Sequence, residues 1–165
     1  MSMMQRFQLD GRAALVTGSS RGIGRAIALG LAECGVAVAV HGTKPAKALD
    51  ETLADVRKLS PRSIAVTGDL SQPEVPSRLV ADVISSLGGL DILVANASVQ
   101  IRKPWAEVTQ AEAEQQMQVN VHATLRMIQA AVPAMRAKKW GRILTIGSVQ
   151  QQRPHPDMVV YAASK

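Results

Sequence analysis

The chain has 165 residues, 47% of them hydrophobic, enough apolar side chain for one packed core. Its single cysteine, Cys34, excludes an internal disulfide framework and a cysteine-based zinc site and fits a reducing, cytoplasmic setting. The formal charge is +6, but the basic residues are scattered in small groups and aromatics make up only 2%, which leaves a nucleic acid little to stack on. No run is apolar enough to span a membrane, and Met1 to Asp10 contains no leader-like apolar core.

In chain order, Ala13 to Val16 is an apolar run that reads as a strand and leads into Thr17-Gly18-Ser19-Ser20-Arg21-Gly22-Ile23-Gly24. A helical stripe follows at Ile23, Ile27 and Leu31, closed by Gly35, with Cys34 read as a small core residue. Val36 to Val40 reads as a second strand. Pro45 starts a helix carrying Leu49, Leu53 and Val56, and Ile64 to Val66 reads as a third strand. Ser71 is the expected N-cap of a helix with Val75, Leu79, Val83 and Leu87, which ends at Gly88-Gly89. Leu90 to Val94 reads as the fourth strand. Thr109 to about Lys138 reads as one long helix bent at Pro133, and Arg142 to Ile146 as the fifth strand. Strict alternation predicts an α/β fold, a doubly wound parallel sheet with right-handed crossovers. Residues 17–24, 41–44, 69–70, 96–98 and 147–148 all follow strands, so they are expected on one rim, where such sheets bind ligands.

The chemistry is expected on that rim. Three glycines in a strand-to-helix turn let a ligand approach the backbone, and the helix start favours an anion such as a pyrophosphate. A tight turn alone needs glycines too, so the surrounding strand–turn–helix pattern is what points to a dinucleotide. After the second strand the chain reads His41-Gly42-Thr43-Lys44, without the acid that grips the ribose of NAD. Arg21 and Lys44 offer positive charge for a 2′-phosphate instead, which favours NADP(H) over NAD(H); the plainer alternative is a helix-capping arginine and a solvated lysine. Near the C-terminus stand Ser148 and the sequence Tyr161-Ala162-Ala163-Ser164-Lys165. Tyr161 and Lys165 are four apart and would share a helix face, where an ammonium favours phenolate; as an isolated pair they could equally be surface residues. His41, His122 and His155 lack metal-ligand spacing, so no metal is expected.

Read together, Thr17-Gly18-x-x-x-Gly22-Ile23-Gly24, Asp69, Asn96-Ala97, Asn120, Ser148 and Tyr161-x-x-x-Lys165 resemble the short-chain dehydrogenase/reductase family, in particular members of the 3-oxoacyl-carrier-protein reductase type. The resemblance covers the whole chain and implies a Rossmann-type sheet, residues 1–165 forming one dinucleotide-binding domain incomplete at its C-terminal side. It implies an NADP(H)-dependent oxidoreductase acting on a small carbonyl/alcohol substrate, with a non-catalytic dinucleotide sensor or scaffold as the alternative. By resemblance, Tyr161 is the acid/base, Ser148 orients the substrate oxygen, Lys165 serves Tyr161 and the nicotinamide ribose, and Asn120 supports a proton path. The cofactor-binding set would be Gly18, Ser20, Arg21, Gly22, Ile23, Gly24, His41, Thr43, Lys44, Asp69, Leu70, Asn96, Ala97 and Ser98. Ser98 stands where the family has glycine, as in some pteridine reductases, and bears on substrate choice. Gln150, Gln151 and His155 fall where the family borders its substrate. Similar proteins continue past the position of Lys165 and form homo-oligomers. The chain as given is therefore expected to behave as a fragment: a frayed Tyr161–Lys165 turn, an open fifth strand, poor folding and no turnover.

Overall fold

The computed structural model describes residues 9–165, so the reading of Met1 to Asp10 lies largely outside the described residues. Strands β1 (Ala13–Val16), β2 (Ala37–Gly42), β3 (Ile64–Thr67), β4 (Ile92–Ala95) and β5 (Arg142–Thr145) form one parallel sheet in the order β3-β2-β1-β4-β5. The chain first steps outward from β1 to β3, then returns to the other side of β1 with β4. That reversal opens a crevice between β1 and β4 at the carboxyl ends of the strands.

Both faces of the central strands are covered, which is why they are apolar without alternation. Leu15, Ala39 and Leu93 pack on one side with Leu79 and Val83 of α3 (Val75–Leu87) and Met127 and Ala131 of α5 (Ala123–Ala137). Val16, Val38, Val40 and Val94 pack on the other with Ala28 and Ala32 of α1 (Gly22–Glu33) and Leu49 and Val56 of α2 (Lys47–Leu59). Registers Leu15↔Ala39 and Leu15↔Leu93 keep these side chains level across the sheet.

The structure corrects the sequence at several elements. The buried face of α1 is Gly24, Ala28 and Ala32, whereas Ile23 is 66% exposed and Ile27 and Leu31 are only half-buried. Small residues let the helix axis approach the sheet closely, so size overrides hydrophobicity there. Cys34 is not core; it caps the C-terminus of α1, half-buried. Ser71 does not cap α3. Its N–H bonds to Asp69 Oδ1 at 2.9 Å, making a turn, and the helix begins at Val75 after Glu74.

The long helix is interrupted elsewhere than at Pro133, which lies inside α5. Helix α4 (Gln110–Met117) and α5 are joined by a π turn, Gln118–His122, with Asn120 at its centre. Such turns carry a register insertion and mark functional positions. The start at Thr109 is as read: its hydroxyl accepts the Glu112 N–H and the Glu112 carboxylate accepts the Thr109 N–H. That backbone bond, with Lys103 and the Thr109 hydroxyl, holds the Glu112 pKa down at about 2. Strand β5 is an exposed edge, with Ile143 38% and Leu144 47% accessible.

Candidate active site

The glycine turn is a built cradle. Gly18 and Gly22 have φ of 63° and 57°, the left-handed region that favours glycine. A Cβ on Gly18 would lie 2.9 Å from Ala97 Cα, and one on Gly24 2.5 Å from Gly18 O and 2.6 Å from Asn96 Nδ2. Gly24 therefore lets α1 start directly beneath the turn. Asn96 donates from Nδ2 to Thr17 O at 2.9 Å and Gly18 O at 3.3 Å. Thr17 Oγ1 accepts the N–H groups of Asn96 and Ala97, both at 3.0 Å, and donates to Val94 O. Ser19 Oγ donates to Val16 O at 2.7 Å and accepts the His41 N–H at 2.8 Å, while Thr52 Oγ1 donates to Ser20 O at 3.0 Å. Thr17 and Ser19 stand in the sequence motif without an assigned role, and the sequence reading missed Thr52. Small hydroxyls where the backbone leaves β1 are the signal for the first two, since a buried turn must satisfy its own polar groups; Thr52 has no local signal.

Above the turn lies a cavity of about 330 Å³. Its floor and near wall are Gly18, Ser20, Arg21, His41 and Thr43; its far wall is Asp69, Leu70, Asn96, Ala97 and Ser98. Ten of the residues singled out in the sequence thus come together. Gly22, Ile23, Gly24 and Lys44 do not line it: Gly24 lies under the turn, and Gly22, Ile23 and Lys44 face outward. Arg21 forms no ion pair or side-chain hydrogen bond among the described residues, whereas Arg25, one turn on, is matched by Asp55 at 2.7 Å. His41 does not present its ring to the cavity as a free group, because both nitrogens meet backbone atoms.

The C-terminal residues gather at the next strand ends. Tyr161 lies within α6 (Val159–Ala163), and Lys165 follows Ser164, the cap of that helix. The lysine turns back, its Nζ 5.9 Å from the Tyr161 ring centre. Asn120 ties three segments together. Its Oδ1 accepts the Val99 N–H at 2.8 Å, and its Nδ2 donates to Val99 O at 3.0 Å and Ser164 Oγ at 2.8 Å. Ser164 Oγ in turn donates to Tyr161 O at 2.8 Å. Ser148 caps a short 3-10 turn: its Oγ accepts the Gln150 N–H at 3.2 Å, which leaves the hydroxyl proton free.

A groove of about 290 Å³ runs past Asn120, Gly147, Ser164 and Lys165, and Ala97 lines both it and the glycine-turn cavity. Ser148 and Tyr161 are half-buried and line neither. Of the substrate-border residues, Gln150 Oε1 accepts the His155 N–H at 2.7 Å, while Gln151 Oε1 accepts the Ser148 N–H at 3.3 Å. Lys103 N–H donates to Asp157 O at 2.8 Å and Arg102 lies 3.6 Å from the Asp157 carboxylate, closing two loops on each other. Buried Gln116 holds that segment through the Ile101 N–H, a role with no sequence signal. No group of His, Cys, Asp and Glu among the described residues could hold a metal, and no described helix is long and apolar enough to cross a membrane.

Residues 12–165 match the family model of the short chain dehydrogenases. The chain belongs to this family. A hydroxynaphthalene reductase-like protein of Metarhizium robertsii is 34% identical over 158 residues, covering 95% of this chain and 58% of that protein. The gluconate 5-dehydrogenase of Gluconobacter oxydans is 33% identical, over 100% of this chain and 64% of its own length. Among solved structures, a 3-oxoacyl (acyl-carrier-protein) reductase from Agrobacterium tumefaciens with NADP bound superposes with a TM-score of 0.92 at 40% identity, covering 99% of this chain and 63% of that one. A short chain dehydrogenase from Burkholderia cenocepacia in complex with NADP gives 0.88 at 37%, over 96% of this chain and 64% of that one. The chain thus spans less than two thirds of the length of these short chain dehydrogenases.

Proposed function

We propose that this chain carries the dinucleotide-binding unit, residues 1–165, and the catalytic residues of an NADP(H)-dependent oxidoreductase that interconverts a carbonyl and an alcohol. The observation that carries the reading is the shared wall at Ala97, which joins the glycine-turn cavity to the groove at Asn120 and Lys165. The residues fit the cofactor. A Cβ on Gly18 would run into Ala97 in the cavity wall, and Arg21, the N-cap of α1, lines the cavity with a guanidinium that has no partner among the described residues. Asp69 is the one carboxylate in the lining, and it lies after β3 rather than after β2, where a ribose-gripping acid would stand. Structural neighbours with NADP bound support the same choice.

When bound, the nicotinamide supplies or accepts the hydride. The chain's own residues handle the proton. In reduction Tyr161 donates its hydroxyl proton to the carbonyl oxygen, and the Lys165 ammonium stabilises the charge that grows on the phenol oxygen. Ser148 keeps a hydroxyl proton to direct at the same substrate oxygen. Asn120 fixes α6 to the loop after β4, so the two catalytic side chains are held relative to the cavity. Homo-oligomeric assembly and a cytoplasmic setting of the whole protein belong to the same proposal.

Titration of the chain with NADPH and NADH tests the cofactor half: NADPH binds more tightly, and a preference for NADH overturns it. In a form that also carries the remaining length of its relatives, Tyr161→Phe removes nearly all carbonyl reduction while NADPH affinity stays close to the wild type. Near-normal turnover in that variant removes the tyrosine from the mechanism.

A further inference from the structure

His41 is the fifth residue of β2 and is 2% exposed, yet it carries a titratable ring. Its backbone is fixed to the glycine turn, the N–H donating to Ser19 Oγ and the C=O accepting the Ser19 N–H at 2.9 Å. The two ring nitrogens have unlike neighbours. Nδ1 faces the N–H of Gly18 at 3.1 Å, and Nε2 faces the carbonyl oxygen of Gly68 at 3.0 Å. An N–H requires a lone pair and a carbonyl requires a proton, so these neighbours assign a neutral ring with its hydrogen on Nε2.

We propose that His41 is a positioning residue of the dinucleotide site: its neutral ring is a strut between Gly18 and Gly68, and a proton on Nδ1 releases the glycine turn. The proposal rests on the reading of the cavity as a dinucleotide site. Protonation would set N–H against N–H at the one residue, Gly18, whose left-handed backbone and contact with Ala97 define the turn. Among the described residues no acceptor meets a proton at Nδ1. Strands β1 and β3 bring no charged residue, α1 turns Gly24, Ala28 and Ala32 inward, and α2 turns Leu49, Thr52 and Val56. Of the charged groups lining the cavity, Asp69 comes from the loop after β3 and Arg21 from the turn; Lys44, past the end of β2, is exposed. Burial accordingly holds the His41 pKa below its ordinary 6.5, opposed by the bond to Gly68 O and the charge of Asp69.

The test follows NADP+ affinity from about pH 8 to about pH 5, where an unperturbed histidine changes charge. Acidification titrates the ligand's own phosphate in every variant, so the comparison is between proteins. His41→Asn keeps an acceptor for the Gly18 N–H and cannot titrate, whereas His41→Leu has no acceptor. At about pH 8 the Asn variant binds less tightly than the wild type, because it loses the bond to Gly68 O, and the Leu variant binds about tenfold or more weakly than the Asn variant, the loss typical of an orphaned buried donor. Towards about pH 5 the wild type loses severalfold more affinity than the Asn variant, because only the wild type can take a proton at Nδ1. Should the variants fail to fold, 15N NMR of the unsubstituted protein decides. The strut requires the Gly18 amide signal to move with the His41 ring titration. Equal pH dependence in wild type and Asn variant, or a Gly18 amide indifferent to that titration, overturns it. Coupled titration without any NADP+ binding keeps the strut and overturns the dinucleotide reading instead.

Discussion

The two ends of the sheet bury polar groups in opposite ways. At the amino end the Asp91 side chain, 3% exposed, accepts the Ala13 N–H at 3.0 Å and pairs with Lys138 at 3.2 Å and Arg12 at 3.6 Å. Its backbone bonds Ala13 and Arg142, so one residue clamps β1, β4, β5 and the segment after α5. Trp140 lies between the guanidinium groups of Arg12 and Arg142, at 3.9 and 4.9 Å. Each buried charge there has its partner within the chain, a closed set. At the carboxyl end, His41, Asn96 and Asn120 are bonded to loop backbone, but Arg21, Ser20 and Ser98 face a cavity. Matched polar groups make the clamp, and those beside the cavity without a partner among the described residues are the ones a ligand would meet. The basic residues around Trp140 are thus parts of the fold, although by composition alone they would count toward an anionic partner.

The largest expected effect on stability breaks the clamp. Asp91→Ala leaves the buried Ala13 N–H without its acceptor and lowers stability by about 1–3 kcal/mol in urea unfolding, with NADP+ affinity unchanged while the protein is folded. A parallel loss of affinity would show that the two ends are coupled. Arg21→Ala tests the open end. It reduces the preference for NADPH over NADH by about 1.5–3 kcal/mol, read from paired binding titrations, and changes stability by less than about 0.5 kcal/mol. Thr109→Ala, at the start of the helix that carries Gln116, lowers stability by about 1 kcal/mol.

Acid titration separates the buried histidine of the open end from the ion-paired carboxylates on the helices. The folded His41 value lies below the unfolded one, so the unfolded chain binds more protons, and this contribution is present above about pH 6.5 and lost as pH falls below it. Asp55 and Glu112 are lowered by their partners, from 3.8 and from 4.5, so their contributions persist to more acid pH. Theirs are present above those unfolded values and fade as pH falls through the folded ones, about 2 for Glu112. Unfolding curves against pH show two descents. His41→Asn removes the upper one, and Thr109→Ala shrinks the lower.

The sequence by itself determined the strands, the glycine turn and the parallel order of elements. Buried parallel strands must be continuous apolar runs, and residues 13–16 and 92–94 qualify without reference to the rest of the chain. Gly18, Gly22 and Gly24 are legible because spacing alone implies the turn, and Thr109 because a capping box is local. The inward face of α1 was misread because periodicity ranks Ile23, Ile27 and Leu31 above Gly24, Ala28 and Ala32, while close approach to the sheet needs the smaller set. The π turn at Asn120 was not legible, since the bonds that give it a role reach Val99 and Ser164, 21 and 44 residues away. Asp91 reads as a polar residue within the fourth strand, Leu90 to Val94, until Arg12 and Lys138 are beside it. His41 reads as a cofactor-binding residue after the second strand until Gly18 and Gly68, 23 and 27 residues away, engage its two nitrogens. Pattern and spacing are properties of neighbouring residues, and the sequence carries them in full. Which buried polar group meets which partner depends on segments far apart in the chain, and only the tertiary structure decided that.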